Sequence, residues 1–169
     1  VAKAVTTGFN PGGHQTHTLG TSGTGEWLSV HAVTFSGQAS TALYADLAEN
    51  YKADSKYEPG TVLIFGGDEE VTTTQLKDDT RVAGVVSEKP GYLMNDGLKG
   101  DNVIALALQG RVPVKVVGIV KKGDLLVSAS TRGFAISNNR AGVGTVIGKA
   151  ISSKDDAGAG TVEVVVGRV

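Results

Sequence analysis

One local pattern occurs twice in this sequence: a glycine-containing turn followed by short apolar runs rich in β-branched residues. In the first copy, the turn at 57–60 precedes the runs 61–65 and 81–87. Pro59 fixes its own φ, and Gly60 accepts the positive φ that such a turn requires. The second copy comprises the segments 119–128, 133–136 and 144–152. The pattern predicts a degenerate internal duplication whose strands pair within one sheet system.

The composition favours an all-β fold. The chain has 169 residues with 24 Gly, 4 Pro and 5% aromatic residues, which suits many short strands and argues against a helical bundle. Regular turn signals predict a small barrel or a sandwich. The predicted strands are 61–65, 70–74, 81–87, 103–109, 111–118, 124–129, 133–136, 145–151 and 161–167.

Apolar periodicity assigns faces to several of these strands. The run 103–108 is apolar on both faces, which is typical of a central strand. In 111–117, valines alternate with outward residues, and Pro113 indicates an edge or a bulge. Valines also alternate in 161–169, so the C-terminal segment is predicted to be a structural strand. The segment 43–51 fits a helix and a strand equally well.

The first 40 residues differ from the rest of the chain. They are rich in Gly, Thr, Ser and His, and their isolated apolar residues are too few to close a core. We therefore expect an extended arm at 1–40, in which 30–35 permits a strand, and a β domain at 41–169. The arm would lie against the domain or against neighbouring copies. Since residue 1 is Val, we expect that an upstream segment was removed or that the numbering starts inside a longer protein.

Charge and composition exclude several classes of protein. The net charge is −1, so no general field attracts nucleic acid or anionic lipid. No apolar run approaches the roughly 18 residues of a membrane-spanning helix, and we expect a soluble chain. The absence of Cys excludes disulfides and thiolate metal sites. No cofactor-binding motif is present in the sequence.

His14 and His17 are the only clustered imidazoles. If three copies met along an axis, one His from each would supply three nitrogen ligands to a divalent metal. Residues three apart on an extended strand point to opposite faces, so both could face one axis only if a turn intervened. The alternative is that His14 and His17 are two exposed loop residues.

Other polar residues are weaker candidates for chemistry. Asp46 and Glu49 lie in an apolar setting, for which an ion pair with Arg81 or Arg111 is the preferred interpretation. Ser87 lacks a surrounding G-x-S-x-G elbow, and His31 is the only other His that could serve as its base.

The acidic runs 68–70 and 78–79 are interpreted as a solvated hairpin loop. The scattered aromatic residues are interpreted as core or interface anchors. These are Trp27, Tyr44, Tyr51, Tyr57 and Tyr92. No catalytic residue is predicted.

Taken together, several segments resemble the C-terminal β-rich domain of virion structural and tail-fibre proteins of tailed phages, particularly cyanophages. The domain is also similar in outline to the auto-processing chaperone domain of phage neck appendages. The resemblance covers 41–169 and rests on the segments 44–51, 57–63, 82–87, 92–95, 110–116, 122–126 and 146–150.

The resemblance implies a non-enzymatic structural component of a phage virion: a homotrimeric tail fibre, appendage or head fibre subunit whose domain caps an extended region. The implied partners are further copies of the chain, other virion proteins and a host surface receptor used for attachment. Metal-binding fibres carry H-x-H, whereas this chain has H-x-x-H at 14–17. The alternatives are an auto-processing chaperone domain with Ser87, Asp46 and Glu49 as first candidates, and a capsid decoration protein that docks by its arm.

Overall fold

The computed structural model describes residues 46–167, and these form an all-β fold without a helix, as predicted. All ten strands belong to one hydrogen-bonded system. In chain order, the strands are β1 (Asp46–Lys52), β2 (Val62–Phe65), β3 (Val71–Thr72), β4 (Val82–Val86), β5 (Tyr92–Met94), β6 (Val103–Val117), β7 (Leu125–Ser128), β8 (Ala135–Ser137), β9 (Val146–Ala150) and β10 (Ala159–Val166).

Five strands close into a barrel. The order β10-β9-β7-β8-β6 returns to its start because β10 also pairs antiparallel with the second half of β6. Alternate residues of these strands point inwards, and the barrel interior consists almost entirely of small aliphatic side chains. Its buried residues include Val112, Val114, Val116, Leu126, Ala135, Ile147, Val162, Val164 and Val166. The predicted inward valines of β6 and β10 are therefore confirmed.

The long strand β6 connects this barrel to the rest of the domain. Its first half pairs with β1 on one side and with β4 on the other, which confirms the predicted central strand. β4 continues through β2 to β3, and a single parallel bridge between Ala53 and Val71 joins β3 back to the end of β1. We call this set (β1, β3, β2, β4 and the first half of β6) the first ring. Its interior contains Ala53, Leu63, Val71, Val86 and Leu106.

The two copies of the predicted duplication have equivalent backbone hydrogen bonds at their turns. Thr61 N donates to Glu58 O in the first copy, and Asp124 N donates to Lys121 O in the second. Each turn has a positive-φ glycine, at Gly60 and at Gly123. These glycines donate to the last residues of β4 and β9: Gly60 N to Val86 O at 2.9 Å, and Gly123 N to Ala150 O at 2.8 Å.

Strand pairing repeats as well. β2 lies between β3 and β4, and β7 lies between β8 and β9. Leu63 pairs with Gly84 and Leu126 pairs with Gly148, and the register shifts immediately after both pairs. The next strand in each copy also pairs at the equivalent position. Val86 of β4 pairs with Leu106 of β6, and Ala150 of β9 pairs with Val164 of β10. Each residue of the first ring therefore has a definable counterpart in the barrel.

The structure decides one open assignment and differs from the sequence prediction in two places. The ambiguous segment at 43–51 is a strand where it is described, because β1 pairs with β6. β5 was not predicted; it adds in parallel to β1 and has no counterpart between β9 and β10. The predicted strands 103–109 and 111–118 are one continuous strand.

Pro113 lies within β6, where it pairs with Glu163 of β10 on one side of the strand. The predicted strand edge is present only on the opposite side of β6. There, β4 pairs as far as Ala107 and β8 pairs at Val116.

Candidate interaction surface

A row of three side chains on the first ring covers one end of the barrel. Val62 pairs with Val85, and Val85 pairs with Ala107, so the three lie side by side across β2, β4 and β6. They point away from the interior of the first ring and belong to the same core cluster as the inward valines of the barrel. All three are buried. We call Val62, Val85 and Ala107 the capping row.

The counterpart of the capping row on the barrel is less buried than the capping row itself. By strand register, Leu125 corresponds to Val62, Lys149 to Val85 and Val165 to Ala107. Lys149 is exposed, while Leu125 and Val165 are half-buried. We call these three residues the second row.

A groove of about 640 Å³ lies against the second row. Leu125 and Lys149 line it together with the 141–144 loop, Val82 and Val146. Val143 in this loop is fully exposed, at 101% of its reference area. The groove and the exposed valine beside it form a candidate interaction surface.

The first ring is more open to solvent than the barrel. Tyr51 and Ile104 are paired in the first ring and are half-buried, whereas their counterparts Val114 and Val162 are fully buried. Three further residues of the first ring are half-buried while their barrel counterparts are buried: Tyr57 against Val120, Ala83 against Ile147, and Leu108 against Val166. The barrel interior is sealed partly by the capping row, and no described residue seals the first ring in the same way.

The first ring contains a half-buried carboxylate, Glu49. Glu49 pairs with Leu106, so it corresponds to the buried Val112 of the barrel. Its Oε2 accepts a hydrogen bond from Tyr51 OH at 2.9 Å. Burial of the phenol and then the hydrogen bond and charge of Glu49 raise the pKa of Tyr51 to about 12. The Tyr51 ring also makes an edge contact with Phe65, with 5.7 Å between ring centroids.

Replacing Glu49 by Gln is expected to lower the pKa of Tyr51, because the amide carries no charge to oppose the phenolate. The pKa should stay above the ordinary tyrosine value of about 10, since burial of the phenol remains. Ultraviolet titration of the phenolate, with Tyr51→Phe to identify the signal, measures this. An unchanged titration curve would show that Glu49 does not face Tyr51.

A buried polar network holds the loop that precedes β4. Asp79 accepts from Arg81 Nε at 3.0 Å and Arg81 Nη2 at 2.8 Å, and from Thr74 Oγ1 at 2.7 Å. Its backbone N donates to Ser128 Oγ at 2.8 Å, which ties the loop to β7. The Arg81 hydrogen bonds hold the pKa of Asp79 well below its usual range. The prediction of a solvated acidic loop is therefore correct for the exposed 68–70 run and wrong for Asp79.

The ion pair predicted for Asp46 or Glu49 is not formed. Arg81 pairs with Asp79, and Glu49 is bonded by Tyr51. Within residues 46–167, Asp46 Oδ2 is buried without a hydrogen-bond partner. Ser87 is buried, its backbone N donates to Ala105 O, and no hydrogen bond among the described residues joins it to Asp46 or Glu49.

His14, His17, His31, Trp27, Tyr44 and the boundary at 40/41 lie outside the described residues. Residues 46–167 contain no cluster of three or more His, Cys, Asp or Glu side chains able to hold a metal ion. In that same part of the chain, no helix is long and apolar enough to cross a membrane.

β5 presents a second exposed surface. It pairs only with β1 among the described strands, so its outer edge is open. Asn50 and Asn95 hold it by reciprocal side-chain to backbone hydrogen bonds of 3.2 and 3.1 Å. Tyr92 and Leu93 are exposed on this strand. An open edge with exposed apolar side chains can accept a further strand.

The comparisons with known proteins find similarity in structure and not in sequence. No family model matches the sequence. No curated protein matches it. Among solved structures, the chain is similar to the N base of the head fibre protein gp8.5 of bacteriophage phi29, with 16% identity and a TM-score of 0.43. The similarity covers 71% of this chain and 92% of that chain.

Proposed function

We propose that the protein is a non-enzymatic structural subunit of a phage particle that associates with copies of itself. Residues 41–169 form its β domain, and residues 1–40 act as the arm that the domain caps. More specifically, we propose that the protein is a subunit of a homotrimeric fibre or appendage. Its further partners are other virion proteins and a host surface receptor.

The observation that carries self-association is the partly exposed second row. Three side chains that are buried in one copy of the duplicated unit have exposed or half-exposed counterparts in the other. The surface beside them is lined by apolar side chains and small loop residues. The resemblance of the segments between 44 and 150 to phage appendage domains supports the virion setting. Aligning several extended chains in one register costs conformational entropy. A folded domain at their end fixes that register.

Light scattering of the purified chain tests the proposal. We expect a mass near three times 17.3 kDa. Repeating the measurement with a chelator tests His14 and His17, since dissociation would make them ligands on the trimer axis. A single-chain mass in both conditions would refute self-association and favour a capsid decoration protein that docks by its arm.

A further inference from the structure

We infer that the contact between β1 and β3, which closes the first ring, is held by two carboxylates and opens on acidification. The carboxylates are those of Asp54 and Glu70. We call the contact between residues 52–54 and residues 70–72 the seam. The inference concerns a movement within one chain and does not depend on the proposed self-association.

Backbone pairing across the seam is weak. β1 and β3 meet at a single parallel bridge, between Ala53 and Val71. The backbone hydrogen bond from Asp54 N to Val71 O measures 3.4 Å, which is long for an amide and a carbonyl. β3 has only two residues, and these pair with β2 on the other side. The backbone alone therefore holds β3 against β1 only weakly.

Two carboxylates supply the shorter hydrogen bonds of the seam. Lys52 N donates to Glu70 Oε2 at 2.7 Å, so a side chain of one segment accepts a backbone amide of the other. Thr72 Oγ1 donates to Asp54 Oδ2 at 2.6 Å, and Tyr57 OH donates to Oδ1 of the same carboxylate. Hydrogen bonds to an ionised acceptor are roughly twice as strong as those between neutral groups. Asp54 and Glu70 are exposed, so protons reach both directly from solvent.

The barrel has the equivalent seam without these carboxylates. Its β6 and β8 also meet at a single parallel pair, between Val116 and Ala135. By strand register, the barrel counterparts of Asp54, Thr72 and Glu70 are Val117, Ile136 and Phe134. None of these three side chains takes up a proton. The duplication therefore supplies an internal control, in which the same backbone contact has no carboxylate to protonate.

The direction of the pH response follows from the surroundings of Asp54. Desolvation acts to raise the pKa of Asp54, but the hydrogen bonds from Thr72 and Tyr57 and the charge of Arg132 hold it below its ordinary value. The stabilisation is therefore fully present above the unfolded value of about 3.9 and is lost as the pH falls through the folded value. The seam should open progressively below about pH 4.

Other charged and titratable groups lie around the seam. Tyr51 is close enough to Glu70 for the glutamate charge to act on its phenol, and Tyr51 also donates to Glu49. A cavity of about 270 Å³ adjoins the seam. The charged side chains on its walls, besides Asp54, are Lys52, Glu69 and Asp101.

Hydrogen exchange followed by NMR tests the inference, because the amides of Lys52 and Asp54 themselves donate across the seam. Between pH 7 and about pH 3.5, we expect their protection, corrected for intrinsic exchange, to fall by roughly fivefold or more relative to the barrel. This is the effect of losing about one net hydrogen bond. The amides at 116–117, beside the equivalent barrel contact, should keep their protection.

Neutral variants identify the groups responsible. Asp54→Asn and Glu70→Gln should each lower the protection of these two amides by about threefold at pH 7, because a neutral oxygen is the weaker acceptor. The double variant should show little further loss at low pH. Glu69→Gln and Asp101→Asn are matched controls, since both side chains are exposed on the adjoining cavity and accept none of these hydrogen bonds. Thermal unfolding of each variant confirms that it folds.

Three outcomes would overturn the inference. The first is unchanged protection of the Lys52 and Asp54 amides at low pH. The second is an equal loss at 116–117, which would indicate acid unfolding of the whole domain. The third is the same effect from Glu69→Gln or Asp101→Asn, which would make net charge the cause. None of these results decides the proposed self-association, which the mass of the native chain tests separately.

Discussion

Replacing Gly148 by Ala is expected to destabilise the domain by about 3 kcal/mol or more, which is the upper range for overpacking a core. A Cβ at Gly148 would lie 2.9 Å from Val164 Cγ1 and still closer to the carbonyl oxygen of Val165. That oxygen belongs to β10, so it cannot move without disturbing the β9–β10 pairing that closes the barrel. Real Cβ atoms do not approach backbone this closely, and the barrel would have to open.

Thermal unfolding measures this change, with an expected fall in Tm of roughly 10 °C for a domain of this size. Gly97→Ala is the matched control, because a Cβ there meets nothing within 4 Å, and its Tm should stay close to that of the native chain. Gly84 is the counterpart in the first ring, where the Cβ would lie 2.6 Å from Ala107 O. Gly84→Ala is therefore also expected to destabilise. A Gly148→Ala protein with native Tm would refute the close packing of β9 on β10.

Replacing Asp79 by Asn is expected to cost about 2–3 kcal/mol at neutral pH, in the range for hydrogen bonds to a charged group. Both carboxylate oxygens are used, one by Arg81 N and Nε and the other by Arg81 Nη2 and Thr74 Oγ1. An amide keeps one oxygen and turns a donor towards the remaining donors. Denaturant unfolding of the two proteins at pH 7 measures the loss.

The same pair of proteins has a defined pH dependence. Because the folded-state pKa of Asp79 is lowered, its stabilisation is fully present above the unfolded carboxyl value of about 3.9 and is lost as the pH falls through the folded value. The difference in unfolding free energy between the native chain and Asp79→Asn should therefore be constant near neutrality and shrink below about pH 4.

Asp78→Asn is the control, since Asn is tolerated at the positive φ of 57° and its oxygen can still accept from Asn138. It should cost much less than Asp79→Asn. A loss for Asp79→Asn that did not change with pH would show that the carboxylate charge is not responsible.

The strands and the duplication were predictable because they depend on local chemistry. Runs of β-branched residues between glycine turns specify strands, and alternating valines at 112–116 and 162–166 specify which face is inside. β5 was not predicted because Tyr92–Met94 shows no alternation of apolar and polar residues, and it forms a strand only by pairing with β1. The burial of Asp79 was not predicted, because an acidic residue in a polar loop gives no sign that Ser128, which is remote in the chain, will pack against it.

The sequence by itself determined the all-β class, the repeated turn and strands, and the inward faces of the barrel. Each of these follows from backbone preferences and from apolar periodicity within a few residues. Only the tertiary structure decided that Val62, Val85 and Ala107 are buried, while Lys149 is exposed and Leu125 and Val165 are half-buried. Both rows lie at equivalent places in equivalent strands, so the position within the strand alone does not predict which row is buried. Burial depends on what packs against a face, and that partner is chosen by contacts between segments remote in the chain.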